Sequence, residues 1–433
     1  MNTKVGLISL GCAKNLVDSE HMLARLRQAG CEIVDDMNEA EVGIINTCGF
    51  INPAKEESIN TIFEMSQYSD HLIVTGCLAE RYEDTLRADI PEIEAVVPIH
   101  EYDKLPEILK NILHDEGKGS FWKAERALST APWSAYVKIS DGCSNRCTYC
   151  AIPLIRGDQK SKLLSEVREE VESLASKGVR EITLIAQDTT RYGLDNYGKL
   201  MLPELIREID SIEGVHWIRI LYMYPDEITD EVLEAMQASQ KVLPYFDIPM
   251  QHANNRLLKA MNRRGTKEDT LALVKKIRTM FPEAVLRTTA IVGFPGESEE
   301  DFEELVEFIK EVGWDRFGAF TYSREEDTPA YAMEPLVDES IAEDRLARLM
   351  QVQEAISEAK NRQKVGSTIE TLVEDRDALT GTYRGRSAAD APDEVDGKVI
   401  FSSDQELEPG TFVPVLITAA KAYDVVGKHA PKA

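Results

Sequence analysis

Ser140-Asp-Gly-Cys-Ser-Asn-Arg-Cys-Thr-Tyr-Cys150 sets Cys143, Cys147 and Cys150 in a C-x3-C-x2-C spacing, so one short loop supplies three soft thiolates. That spacing suits an iron–sulfur cluster. A four-iron cubane takes four ligands, so the loop either borrows one from elsewhere or leaves an iron open for chemistry; the open iron is the sharper reading. Structural zinc usually pairs C-x2-C knuckles and closes the site with Cys or His, and no His lies near this loop. A disulfide framework belongs to small secreted chains, whereas this one has 433 residues and seven cysteines, an odd number.

The loop follows an apolar run, Tyr136 to Ser140, the first of six in residues 130–365. The others are Glu181 to Ala186, Trp217 to Tyr222, Tyr245 to Pro249, Val285 to Val292 and Phe317 to Tyr322, separated by amphipathic helical patterns. Six βα units predict a partial (β/α)6 barrel, since a closed eight-unit barrel needs more chain. The loop is then expected at the carboxyl-end mouth, where barrel enzymes keep their chemistry. Polar groups end other strands: Gln187 and Asp188, Gln251 and His252, and Gly293-Phe-Pro-Gly-Glu297. Each alone reads as a capping or turn residue; as a ring around a cluster they read as a pocket.

Residues 1–125 alternate short apolar runs (Lys4 to Leu10, Val42 to Asn46, Leu72 to Thr75) with helical stretches (Asp18 to Gln28, Ala54 to Ser66). This is βαβ patterning and predicts an open parallel α/β domain. Each run leads into a cysteine, in Leu10-Gly-Cys12, Asn46-Thr-Cys48 and Thr75-Gly-Cys77. Ligands gather at the carboxyl ends of strands in such sheets, so the three thiols are expected to converge. Three separately buried cysteines are the alternative, free Cys commonly packing as a small hydrophobe, but the repetition argues against it. Cys31 follows Gly30 at the start of a strand and reads as structural.

A helical pattern from Glu339 to Lys364, with Ile341, Leu346, Leu349, Val352 and Ile356 on one face, leads into residues 366–433. There Thr368 to Val373, Leu379 to Tyr383, Gly397 to Phe401 and Phe412 to Thr418 are short strands punctuated by Gly, Pro and Asp, which predicts a small antiparallel β-barrel. No apolar run approaches the ~20 residues of a membrane span, and Val5 to Leu10 is shorter than a signal h-region. A reducing, cytoplasmic setting is expected. The formal net charge of −27 disfavours indiscriminate contact with phosphate backbones and favours a basic protein partner. A local patch such as Arg263-Arg264 leaves nucleic acid open.

Taken together, the loop, the partial barrel and the three further cysteines resemble the radical S-adenosylmethionine (SAM) methylthiotransferases. The matching phrases are Ser9-Leu-Gly-Cys-Ala-Lys-Asn15, Asn46-Thr-Cys-Gly-Phe50 and Thr75-Gly-Cys77. The resemblance implies two [4Fe–4S] clusters, one on Cys143, Cys147 and Cys150 and one on Cys12, Cys48 and Cys77, and a C-terminal TRAM domain for substrate recognition. Ser9 to Glu20, Asn46 to Ile51, Ala151 to Gly157, Phe246 to Ala253 and Phe320 to Ala330 are similar to the ribosomal-protein branch of the family. That branch implies methylthiolation of the β-carbon of an aspartate in the twelfth small-subunit ribosomal protein, free or in the assembling subunit. A reduced flavodoxin-like or ferredoxin-like electron donor is also implied. The first cluster, by this resemblance, cleaves SAM to a 5′-deoxyadenosyl radical, and the second holds the sulfur that is transferred.

The implied SAM contacts are Tyr149, Gln187, Asp188, Gln251, Arg287, Gly293 and Phe294. Gln187-Asp188 stands where many radical SAM enzymes have Gly-Glu, a departure that leaves the amine contact open. A tRNA adenosine methylthiotransferase on the same scaffold and a non-catalytic iron–sulfur scaffold or electron-transfer protein are the alternatives.

Overall fold

Val42-Gly-Ile-Ile45 and Leu72-Ile-Val74 are continuous apolar runs, and runs of this kind form strands that are covered on both faces of a parallel sheet. The computed structural model describes residues 3–69, 71–105, 107–108, 111, 126–392 and 396–430. The chain divides into two units: Met1–Thr130 with Asp141–Lys160 and Ser323–Tyr331, and Ala131–Ser140 with Ser161–Tyr322 and Ala332–Ala433.

The first unit is built on five parallel strands, β1 (Lys4–Ser9), β2 (Glu32–Ile33), β3 (Val42–Thr47), β4 (His71–Gly76) and β5 (Ala95–Val97), in the order β2-β1-β3-β4-β5. Helix α1 (Ala13–Gln28) sets Met22 and Leu26 against Val5, Ile44 and Ile73 on one face. On the other face α2 (Asn52–Met65) sets Ile62 and Met65 against Ile45, Leu72 and Val74. Each such side chain contributes about 1.5–3 kcal/mol by leaving water. Cys31 packs half-buried against the first of these cores. The strand order reverses between β1 and β3, and that switch point is where doubly wound sheets open a crevice for ligands. The helical pattern was expected from Asp18; α1 instead starts at Ala13, directly after Cys12.

The second unit holds two three-stranded parallel sheets. Ser134–Lys138, Glu181–Ile185 and Trp217–Ile220 form one, with Glu181–Ile185 central; Tyr245–Asp247, Val285–Val292 and Arg316–Thr321 form the other, with Val285–Val292 central. Backbone bonds from Leu243 to Ile218 (2.8 Å) and from Met223 to Asp247 (2.8 Å) join them, giving the six-stranded partial barrel. The helix Glu339–Gln363 departs from expectation. Its buried stripe is Ala342, Arg345, Leu349, Gln353, Ser357 and Asn361, while Ile341 is exposed. Three of the polar members meet fixed partners: Gln353 donates to the Trp314 carbonyl (3.1 Å), Asn361 to those of Lys421 and Ala422, and Arg345 to Glu297 (2.8 Å).

The C-terminal barrel closes with five strands, Thr368–Arg376, Tyr383–Ser387, Val399–Ser402, Phe412–Ala420 and Val425–His429. It is not wholly antiparallel, because Val399–Ser402 pairs parallel with Val425–His429. The second strand starts at Tyr383 rather than Leu379. Asp377 accepts the Leu379 and Thr380 N–H groups (2.9 and 2.8 Å), making a turn that leaves Leu379 98% exposed.

A buried ion network joins this barrel to the amino ends of the sheet strands. Glu181 accepts a bidentate pair from Arg386 (2.6 and 3.0 Å) and a bond from Ser134 (3.0 Å). Arg316 pairs with Asp390, and Tyr245 donates to Asp396 (2.6 Å). In barrels the amino end serves stability rather than chemistry.

Candidate metal centre

Ser9, Asn46 and Thr75 lie in register across the neighbouring strands β1, β3 and β4. The cysteines follow this row at Cys12, Cys48 and Cys77, so the sheet delivers all three at one edge, beside its switch point. Close approach requires glycine at two positions. Gly11 has φ +85°, and a Cβ there would lie 2.8 Å from Cys48 Cβ; Gly76 has φ +92°, and a Cβ would lie 2.3 Å from Asn46 Oδ1. Ser58 of α2 fixes the Cys48 backbone twice, accepting its N–H (3.0 Å) and donating to its carbonyl (2.9 Å). Asn15 ties the loops together by donating to the Leu10 and Thr47 carbonyls (3.1 and 2.8 Å), while its Oδ1 accepts from Cys77 Sγ (3.4 Å).

The thiols differ in their electrostatics. Burial pushes Cys48 up to about 12, aided by its neighbours Cys77 and Cys12. Burial also raises Cys77, against the pull of Arg156. At Cys12 the surrounding protein again opposes ionisation, but Lys14, Arg156 and the backbone N–H groups of Asn15 and Lys14 outweigh it and hold the thiol below its ordinary range. Cys12 keeps an exposed surface while Cys48 and Cys77 are buried.

The 141–160 segment belongs to this same unit. Its loop is held by the Cys143 N–H on the Gly157 carbonyl (3.0 Å), the Cys150 N–H on the Cys147 carbonyl (3.1 Å), and the Gln159 N–H on Ser144 Oγ (3.2 Å). Cys143 and Cys147 are buried, Cys150 and Tyr149 half-buried. The Ala330 N–H reaches the Thr148 carbonyl (2.9 Å), and Glu325 of that same segment is buried against Lys55 (2.9 Å) and Arg81 (2.7 Å), the last residue of the short helix Cys77–Arg81. Arg156, almost wholly buried, donates to both Asp141 oxygens (3.0 Å each), to Asp18 (3.0 Å), to Asn15 Oδ1 (2.6 Å) and to Cys77 Sγ (3.6 Å). Among the described residues no three His, Cys, Asp or Glu side chains close round a single metal ion. In a cubane each cysteine binds a different iron.

In the second unit, Gln187 follows the strand Glu181–Ile185, and its Oε1 is buried without a hydrogen-bond partner among the described residues. Asp188 is buried beside it, its Oδ1 taken up by Thr190 Oγ1 (2.5 Å) and the Thr190 and Arg191 N–H groups. Gln251 has φ +74°, uncommon for a non-glycine residue, and bridges to Ala290. The Gly293 N–H donates to Glu297 (2.9 Å), and Phe294 is fully buried edge-on to Tyr322. Gln187, Gln251, Gly293 and Phe294 thus lie at or beyond the carboxyl ends of their strands. Arg287 does not. It is the third residue of Val285–Val292, and its guanidinium faces Asp247 (3.4 Å) and Asp396 (4.0 Å) towards the amino-end network, so its charge is committed there rather than at the carboxyl-end rim.

Comparisons with known proteins fit this geometry. The Radical SAM superfamily matches residues 137–309, the family described as Uncharacterized protein family UPF0004 matches 4–98, and the TRAM domain 365–429. Ribosomal protein uS12 methylthiotransferase RimO of Acetivibrio thermocellus is 47% identical over 99% of this chain and 98% of its own length. RimO of Pelotomaculum thermopropionicum is 48% identical over 99% of each chain. The chain belongs to the RimO family. Among solved structures, the radical SAM methyltransferase TsrM of Kitasatospora setae, with cobalamin and a [4Fe–4S] cluster bound, aligns with TM-score 0.56 at 16% identity over 76% of this chain and 74% of TsrM. The cobalamin-dependent enzyme OxsB aligns at 0.51 and 11% identity over 82% of this chain and 56% of OxsB. Those likenesses speak to fold alone.

Radical SAM chemistry in the RimO family rests on [4Fe–4S] clusters and SAM, and the donor sets present fit them: two separate sets of three thiols, and a buried acceptor without a partner at a strand end. Residues that the sequence did not single out are Asn15, Asp18 and Arg156. All three lie inside the quoted phrases Ser9 to Glu20 and Ala151 to Gly157, which is the one signal that pointed to them.

Proposed function

We propose that this chain methylthiolates the β-carbon of an aspartate in ribosomal protein uS12, the protein named for its RimO relatives. The observation that carries the reading is the presence of two three-thiol sites within one unit, on a chain that matches those relatives from end to end. Cys143, Cys147 and Cys150 hold one cluster, and Cys12, Cys48 and Cys77 the other. When bound, the clusters and SAM supply the one-electron chemistry and the sulfur that no side chain offers to an unactivated carbon.

The protein's own residues bind and orient. Gln187, whose buried Oε1 has no partner among the described residues, would accept from the ammonium of SAM, and the Asp188 carboxylate, pinned by Thr190, shapes the turn beside it. Gln251, Gly293 and the backbone at Phe294 line the rim, and Tyr149 stands between two cluster ligands. Iron ligands must shed their protons, and Lys14 and Arg156 lower that cost at Cys12.

A basic protein substrate also suits the C-terminal barrel. Arg386 is buried on Glu181 and Glu374, and Arg384 is paired with Asp375, so neither charge is offered to phosphate. Thiolate cluster ligands call for a reducing cytoplasm and a flavodoxin-like or ferredoxin-like donor.

Anaerobic reconstitution with iron, sulfide, reductant and SAM, followed by mass spectrometry of ribosomal peptides and tRNA nucleosides, tests the reading. The expected product is one methylthio group on a uS12 aspartate. Modified nucleosides with unmodified peptides would transfer the assignment to tRNA, and clusters without SAM consumption would reduce it to a scaffold.

A further inference from the structure

Arg156 is a buried cation whose contact with Cys77 has no part in the reading above. It is carried by the segment that bears Cys143, Cys147 and Cys150, yet its side chain ends among residues of α1 and the Cys77 turn. Its contacts there are Asp18, Asn15 and, at 3.6 Å, Cys77 Sγ. Ala151 and Ile155 of the same segment pack against Cys77, so the guanidinium is fixed from both sides. Its Nη1 donates to both oxygens of Asp141, while Nη2 makes the contacts on the α1 side. A fully buried ion pair contributes little net stability, and stability alone gives no reason to aim this one at a cysteine sulfur.

We propose that Arg156 is the positioning residue of the second cysteine site: from the radical SAM segment it donates to Cys77 Sγ, and its charge, balanced by Asp18, sets the reduction potential of the cluster held by Cys12, Cys48 and Cys77. Hydrogen bonds to cluster sulfurs and nearby charge are the levers by which proteins tune such potentials. Adding an electron makes a cluster more negative, so a cation beside Cys77 favours the reduced form and Asp18 opposes it. The proposal rests on the cluster reading of these three cysteines.

The test uses the full chain carrying Cys143→Ala, Cys147→Ala and Cys150→Ala, so that one cluster remains. It is reconstituted with iron and sulfide and titrated by electron paramagnetic resonance against potential. Arg156→Gln is expected to lower the ratio of reduced to oxidised cluster about tenfold at fixed potential, a shift of about 59 mV for one electron. Arg156→Lys should recover much of it. Asp18→Asn should move the midpoint the opposite way, which keeps the test decisive if Arg156→Gln does not fold. Equal midpoints in the folded variants would overturn the role of Arg156 while leaving the cluster assignment standing. Failure of the parent triple variant to bind iron would overturn both.

Discussion

Ser58 shows how much of the second site depends on single polar contacts. It is fully buried in α2, and its hydroxyl satisfies both the N–H and the carbonyl of Cys48. Ser58→Ala leaves those groups without their partner, at roughly 1–3 kcal/mol, and urea unfolding of the apoprotein should show that loss. The six cysteines proposed as cluster ligands stand out in the sequence by spacing and by the repeated strand-then-Cys pattern. The contacts that support them do not. Arg156 meets Cys77 across 79 positions and Asn15 across 141, and a buried arginine looks like any other until the fold shows what it faces. Arg287 shows the complementary limit: its strand is plain in the sequence, but that its guanidinium faces Asp396, more than a hundred residues on, is not.

At the level of elements, the parallel strands were readable because apolar runs of β-branched residues have few other uses, while the long helix after the barrel was misread. Its apolar residues suggested one face, yet the buried stripe is mostly polar, since Gln353, Asn361 and Arg345 each meet a fixed partner. Periodicity reports hydrophobicity and is blind to satisfied polar burial. The short strand Val425–His429, which pairs locally with Phe412–Ala420 and in parallel with Val399–Ser402, is interrupted by Gly427 and Lys428 and shows no apolar run. The join between sheet and C-terminal barrel gives a sharper test. Burial works against the Glu181 carboxylate, but Arg386, Arg219 and Ser134 outweigh it and hold it below its ordinary range. A carboxyl depressed in the folded state stabilises above its unfolded pKa, about 4.3, and that stabilisation is lost as pH falls through the lower folded value. Arg386→Ala should cost roughly 3–5 kcal/mol near neutrality by leaving Glu181 buried without its main counter-charge. Glu181→Gln should flatten the acid limb of a plot of stability against pH.

At the scale of the whole molecule, the proposed function has the two cysteine triads divide the reaction. Cys147→Ala is expected to abolish release of 5′-deoxyadenosine. Cys48→Ala should keep that release and lose methylthio transfer, both followed by chromatography of one anaerobic assay. Loss of both activities in a folded Cys48→Ala protein would mean that the triads do not work separately. No helix among the described residues is long and apolar enough to cross a membrane.

The assignment of residues 141–160 to the same unit as residues 1–130 also limits how this chain can be taken apart. A cut after residue 130 frees the barrel but takes Asp18 and Asn15 away from Arg156, which keeps the Asp141 carboxylate and loses the contacts that aim it at Cys77. The amino-terminal piece, for its part, keeps Asp18 buried and loses the cation that faces it. A chimera exchanging domains between relatives therefore has to carry residues 1–130, 141–160 and 323–331 together.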